Sequence, residues 1–408
     1  MTLQQHTVRA AARVTGNHFG SVAFGSFSAL RRSDMQTAPP GVNRYLAVEV
    51  GEACQLACKH CIYGRPNPPD GRPASIVRDR LLEALSNGID PLWVSYAGKE
   101  PTLFPKQLFE MAEASRRDER LNIVMTNGLR LGSAFLGEAY ALIDQFDISV
   151  DGDREAHDWM RGTGTFDRTW SNLERLVEDG RVDVGVISTA VNAITTTARA
   201  QTDDIVALAA RMASAFGVHP RLSLSISLYY GPPGDPMVLN AGAIARLISR
   251  LSTTKLRSRV LFTANYAYLW PEVRSMLPQA DLLCGFDART QVPIASFGNT
   301  DIVLFNQTES LQVPLRLAND GNVFLGCNHL TLGDRASAFA IGNLESKTVA
   351  KFYDEVETLS AAYLPSLRVL PKECEACPDW AECRGGDRLS GLYFGERAAD
   401  PRCPSIEH

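Results

Sequence analysis

The sequence predicts an α/β protein in which a partial (β/α)6 TIM barrel is followed by a small irregular domain. Three observations predict it. From Tyr45 onward a β-rich run, a turn and a segment with helical spacing recur six times, which is the signature of βα units and a parallel sheet. After Gly231-Pro232-Pro233-Gly234 the repeat fades, and past about Lys255 only short β-like pieces such as Asp301 to Phe305 and Asn322 to Leu325 remain. The cysteines fall into groups, with 54, 58 and 61 early, 284 and 327 alone, and 374, 377, 383 and 403 at the end.

Taken in order, residues 1–43 are rich in Gly, Ser, Ala and Arg, end in Ala38-Pro39-Pro40-Gly41, and read as an N-terminal extension. Strands are expected at Tyr45 to Val50, Leu92 to Tyr96, Asn122 to Thr126, Phe146 to Val150, Val184 to Val191 and Leu222 to Tyr229. Helices are expected near Ile76 to Asn87, Phe104 to Arg116, Ala134 to Asp144, Asp167 to Asp179, Asp203 to Ala215 and Ala241 to Ser252. In the fifth, acid in the first turn precedes Ile205, Leu208, Ala209 and Met212 at helical spacing. The domains expected are therefore a barrel over 44–254, a linking region over 255–283 and a second domain over 284–408.

At 408 residues the chain is long enough for two or three domains, given a prior of ~150 residues each. Hydrophobic residues at 45% and charged residues at 21% exclude disordered and fibrous classes. A net charge of -5 offers no basic footprint, so neither nucleic acid nor an anionic membrane is expected as partner. No signal-peptide core and no bilayer-spanning run is found, and a cytoplasmic protein is expected. In that reducing compartment, clustered cysteines point to metal rather than to disulfides.

Chemistry in a partial barrel gathers in the loops after the strands. The first such loop holds Cys54-Gln55-Leu56-Ala57-Cys58-Lys59-His60-Cys61, and three thiols this close suit an iron-sulfur cluster with one iron left free. A zinc knuckle completed by His60 or by a remote residue also fits the spacing, as do three cysteines that are merely neighbours. Later loops carry Ala97-Gly98-Lys99-Glu100-Pro101, Asn127-Gly128 and Asp151-Gly152.

The CxxxCxxC loop after a first strand resembles the radical S-adenosylmethionine (radical SAM) superfamily. The resemblance implies that Cys54, Cys58 and Cys61 hold a [4Fe-4S] cluster whose fourth iron binds SAM, with the planar ring of His60 against the adenine. Ala97-Gly98-Lys99-Glu100-Pro101 resembles the family's GGEP element, with Ala97 for the first glycine and Lys99 inserted, which implies a SAM amino-group contact by the backbone around Ala97, Gly98 and Glu100. Ser149-Val150-Asp151-Gly152 continuing to His157-Asp158-Trp159-Met160-Arg161-Gly162 is similar to the SxDG...HDxxRG signature of family members acting on peptides and related substrates. It implies that Ser149 and Arg161 bind the SAM carboxylate, which suits a guanidinium fork. Asn127 and the backbone near Val191 and Asn192 are further candidates for ribose and adenine.

The C-terminal run Cys374-x2-Cys377-x5-Cys383, then Arg402-Cys403, resembles the SPASM domain, and implies that Cys374, Cys377, Cys383 and Cys403 ligate an auxiliary [4Fe-4S] cluster. Zinc competes here, because CxxC pairs also suit tetrahedral zinc. Cys284, Cys327 and Asp387, the last standing where the family has cysteine, are candidates for a second auxiliary cluster, while two buried thiols serving as small apolar residues is the plainer reading of the cysteines.

The resemblance implies reductive cleavage of SAM to a 5'-deoxyadenosyl radical, fed by a flavodoxin- or ferredoxin-type reductant, and oxidative modification of a ribosomally made precursor peptide, such as a crosslink. An alternative is dehydrogenation or epimerisation of a sugar, nucleoside or aminocyclitol. A zinc-stabilised binding protein is the non-enzymatic reading. Nothing in the spacing selects a catalytic base, Asp387 being one candidate if it binds no iron.

Overall fold

The computed structural model describes residues 22–25, 45–61, 63, 71–91, 93–116, 120–179, 190–196, 202–217, 222–228, 238–256, 258–262, 269–278, 282–287, 293–304, 315–325, 337, 340–355, 372–378 and 403. In chain order these form β1 (Val22–Gly25), β2 (Tyr45–Glu49), α1 (Ser75–Ser86), β3 (Trp93–Ala97), α2 (Pro105–Ala114), β4 (Leu121–Thr126), α3 (Ser133–Leu142) and β5 (Gln145–Ser149). There follow α4 (Arg154–Arg161), α5 (Thr165–Asp179), β6 (Ala190–Thr196), α6 (Thr202–Phe216), β7 (Leu222–Ser227), α7 (Ala241–Ser252) and β8 (Ser258–Phe262). The remainder is α8 (Trp270–Met276), β9 (Leu282–Asp287), β10 (Pro293–Phe297), β11 (Thr300–Leu304), β12 (Leu315–Leu317), β13 (Asn322–Leu325) and β14 (Gly342–Asn343).

All strands lie in one sheet of order β1-β9-β10-β11-β8-β7-β6-β5-β4-β3-β2-β12-β13-β14. From β2 to β8 seven consecutive strands are parallel neighbours. Parallel neighbours need a crossover, and helices α1 to α7 supply it. Both faces of such a sheet are covered, so its strands read as nearly continuous apolar runs: Leu46, Ala47, Val48 and Val50 are all buried. The helices bury one stripe each, as in α5, where Phe166, Thr169, Trp170, Leu173, Leu176 and Val177 recur at helical spacing.

Five of the expected strands are found within about two residues of where the pattern puts them. The fifth is described as Ala190–Thr196, five residues past its expected end at Val191, and 180–189 lie outside the described residues. Both halves of that stretch are rich in β-branched residues, so alternation alone does not mark its end. A seventh parallel strand, β8, lies in the stretch expected as linker. Helix α4 was not expected either; at eight residues it is too short to show a period, and its start is marked by the Asp153 carboxylate accepting from Ala156 N–H at 3.0 Å.

One joint ties the C-terminal half directly to the barrel, and another ties β1 to the antiparallel strands at the far edge of the sheet. Strand β1, from the N-terminal extension, pairs antiparallel with β9, and β12, from the C-terminal half, pairs parallel with β2. Among the described residues no helix is long and apolar enough to cross a membrane.

Candidate active site

Beyond Glu49 the chain runs into the three-thiol loop, and four hydrogen bonds anchor that loop to its neighbours. Glu100 N–H donates to Ala53 C=O at 3.0 Å, Lys59 N–H to Met160 C=O at 3.0 Å, Val50 N–H to Ala97 C=O at 3.3 Å, and Gln55 Nε2 to Asn127 Oδ1 at 3.3 Å. The loops after β2, β3 and β4 and helix α4 after β5 therefore meet, as the barrel pattern requires.

Cys54, Cys58 and Cys61 form no disulfide, and each is partly exposed. Donors face two of the sulfurs: Leu56 N–H lies 3.4 Å from Cys54 Sγ, Asn127 Nδ2 4.0 Å from the same atom, and Arg161 Nη1 3.9 Å from Cys58 Sγ. Without metal, burial pushes Cys54 up to about 11 against the pull of the Leu56 N–H, and burial likewise raises Cys58 against the Arg161 charge. These two thiols are thus protonated at neutral pH and give up protons on binding metal. Among the described residues no three His, Cys, Asp or Glu side chains group as ligands of a single metal ion. Cluster ligation differs, since each thiolate holds its own iron, and hydrogen bonds to the sulfurs then tune the potential. A surface loop with three thiols and outer N–H donors fits a cluster better than a closed zinc site.

Behind the loop sits a charged pair. Arg161 Nε donates to Asp151 Oδ2 at 2.6 Å, and the two side chains are 9% and 4% exposed. Burial raises the Asp151 pKa, yet the Arg161 guanidinium overrides it and holds the carboxyl down at about 2. With Nε engaged, Arg161 turns Nη1 toward Cys58 and Nη2 to within 3.5 Å of His60 Nε2. Burial lowers His60 to about 4, so its ring is neutral and its 3.9 Å approach to Asp151 is a polar contact. His157, fully buried, accepts from Asp151 N–H on Nδ1 at 3.1 Å and meets Phe166 edge-on at 5.6 Å. Gly152 turns the chain at φ 75°, with Asp204 and Ala156 within about 3 Å of where a β-carbon would sit.

Residues 48–213 match the Radical SAM superfamily. This stretch is a radical SAM domain. Mycofactocin maturase MftC of Mycobacterium tuberculosis is 30% identical over 173 residues, covering 41% of this chain and 41% of that relative's length. The serine-type anaerobic sulfatase-maturating enzyme of Klebsiella aerogenes is 22% identical over 369 residues, 85% of this chain and 82% of its own. In fold, Streptococcus suis SuiB bound to S-adenosylmethionine superposes with a TM-score of 0.61 at 15% identity, over 89% of this chain and 77% of that one. The structure of anSMEcpe with bound AdoMet gives 0.57 at 16% identity, over 88% and 94%.

Within the radical SAM domain, Cys54, Cys58, Cys61, His60, Arg161 and Asn127 are brought together. Ala97 ends β3, and Gly98 follows at φ 104°, where a β-carbon would lie 3.2 Å from Glu49 Cβ. Glu100 turns inward: its carboxylate accepts from Thr102 N–H and Oγ1, from Thr126 Oγ1 at 2.7 Å and from Asn127 N–H at 2.9 Å. Its side chain therefore stitches the turn after β3 to the end of β4. Ser149 is the last residue of β5, on the sheet face of Gln145 and Asp147. Val191 and Asn192 lie in β6, paired with Phe146 and Asp147.

Outside the radical SAM domain, Cys374 is buried with Cys377 and Cys403 packed against it, although 403 is remote in sequence. Cys284 lies in β9 opposite Gly25 and Ala295. Cys327, Cys383 and Asp387 lie outside the described residues. Sequence reasoning gave Asp151, His157 and Gln55 no role; the first two stood inside the quoted signature, while nothing marked Gln55.

Proposed function

We propose that the protein is a radical SAM enzyme that oxidatively modifies a ribosomally synthesised precursor peptide, as by a crosslink. The observation that carries this reading is the cysteine loop itself, with N–H donors on Cys54 and Cys58 and the Arg161 guanidinium alongside, in a domain of this superfamily. Cys54, Cys58 and Cys61 would hold a [4Fe-4S] cluster. When bound and reduced, it supplies the electron that splits SAM into methionine and a 5'-deoxyadenosyl radical, which takes hydrogen from substrate. Arg161, steadied by Asp151, and Ser149 receive the SAM carboxylate; the backbone around Ala97 and Gly98 receives the amino group, with Glu100 fixing that turn. His60, Asn127, Val191 and Asn192 are assigned to adenine and ribose. A neutral His60 suits an apolar ring face.

Cys374, Cys377, Cys383 and Cys403 are assigned to one auxiliary cluster of a SPASM-like domain over 284–408, and Cys284, Cys327 and Asp387 to a second; the radical SAM barrel is 44–254, after an extension over 1–43, and 255–283 bridges the two. The packing of Cys374, Cys377 and Cys403 supports the first cluster. Electrons would come from a flavodoxin- or ferredoxin-type protein of the cytoplasm. SuiB has been crystallised with its precursor peptide SuiA, and the curated relatives are named as maturases, which favours a peptide or protein substrate over the sugar and nucleoside alternative.

Anaerobic purification tests the reading. About four, eight or twelve irons per chain, with matching sulfide, would count one, two or three clusters. Under strong reductant the protein should turn SAM into 5'-deoxyadenosine. An iron-free protein with stoichiometric zinc would overturn the assignment.

A further inference from the structure

Arg316 reaches the cysteine loop from 255 residues further along the chain. It lies in β12, which pairs in parallel with β2, Arg316 standing opposite Ala47. Its Nε and Nη2 both donate to Glu49 Oε1, at 2.9 and 2.6 Å, and the two side chains are each 4% exposed. Nη2 also bonds the Tyr63 hydroxyl, and the guanidinium lies 5.3 Å from the Tyr63 ring centroid. The other Glu49 oxygen accepts from Asn319 N–H at 3.0 Å.

The placement of these partners is what matters. Glu49 is the residue at which β2 gives way to the loop, five positions before Cys54, and Tyr63 stands two positions after Cys61. One guanidinium therefore holds both ends of the thiol loop. Glu49 is also the side chain over which Gly98 folds, so the same ion pair sets the floor of the turn after β3. A buried charge pair is seldom the cheapest way to hold two strands together, and its directional bonds serve geometry better than stability. A planar fork with several fixed donors can grip two partners at once, which a lysine ammonium does poorly.

We infer that Arg316 is a positioning residue that clamps the cluster loop, so that the loop is set for its cluster only when the β12 segment of the C-terminal half is docked on β2. This rests on the proposed radical SAM reading for the identity of what the loop holds, but the clamp itself is a property of the apoprotein.

The test uses the full chain in three variants, Arg316→Met, Arg316→Lys and Tyr63→Phe. In apoprotein, hydrogen-deuterium exchange of peptides spanning 51–63 should speed up by roughly tenfold in Arg316→Met, less in Arg316→Lys, and by a few-fold in Tyr63→Phe, with peptides of β4 and β5 unchanged. In reconstituted protein, the EPR signal of the reduced cluster should broaden and its change on adding SAM should shrink in the same order. Should Arg316→Met fail to fold, Tyr63→Phe decides the matter, because it removes only a hydroxyl. Exchange and EPR equal to the parent in a folded Tyr63→Phe and Arg316→Lys would overturn the clamp. A parent that binds no iron would remove the cluster reading and leave the exchange result to judge the clamp alone.

Discussion

Arg161 and Asp151 share a bond of 2.6 Å almost out of water, so removing one charge strands the other. Asp151→Ala should therefore cost the apoprotein about 3–5 kcal/mol, read from the denaturant midpoint, and pairing it with Arg161→Met should recover much of that loss. Acid acts on the same cluster through three groups, His60 among them because burial lowers its pKa from 6.5 to about 4 as it does for His157. The His157 pKa is lowered from 6.5 to about 4, chiefly by burial, so the unfolded chain binds a proton that the folded one refuses; its contribution is whole above 6.5 and about 3 kcal/mol is lost as the pH falls to 4. Asp151, depressed from 3.8 to about 2, loses its own stabilisation only below that range. Unfolding of apoprotein followed from pH 7 to 4 should show the loss carried by both histidines, and His157→Gln should remove about half of it. Cys58→Ala should abolish 5'-deoxyadenosine formation. At this scale the thiols, Arg161 and His60 were legible because their spacing is local. The grip of Asp151 on Arg161 depends on how α4 folds back after β5, and the inward turn of Glu100 depends on where β4 ends, so neither is written in any one stretch.

The elements were legible wherever packing repeats. Leu173 of α5 is fully buried against the sheet, and Leu173→Ala should cost about 2–5 kcal/mol in the midpoint of thermal or denaturant unfolding. Turns obey a different constraint. Gly98 adopts φ 104° with Glu49 underneath, so Gly98→Ala should destabilise by about 1–3 kcal/mol and disturb SAM binding more than global stability, measured by equilibrium dialysis of reconstituted protein. Strand β12 escaped the sequence reading because its three residues, Leu315–Leu317, are too few to alternate visibly, and because Arg316 in the middle reads as a surface charge until Glu49 is set beside it.

For the whole molecule, the proposed division into a radical SAM barrel and an auxiliary-cluster domain predicts a separable phenotype. Cys377→Ala should lower iron content by about four per chain and lose product while some SAM cleavage remains, measured as 5'-deoxyadenosine against modified substrate. Gathering of Cys374, Cys377 and Cys403 was legible through the SPASM resemblance; the single sheet uniting both halves was not, because pairing between remote strands leaves no local signal.

That shared sheet bears on how the protein can be cut. In the full chain β2 is an interior strand, with β3 on one side and β12 on the other. A fragment ending at 254 would turn β2 into an edge with open backbone donors and acceptors and would leave the Glu49 carboxylate without its arginine. Such a fragment should stick to itself and collect in inclusion bodies, and co-expressing the missing C-terminal piece should return it to the soluble fraction.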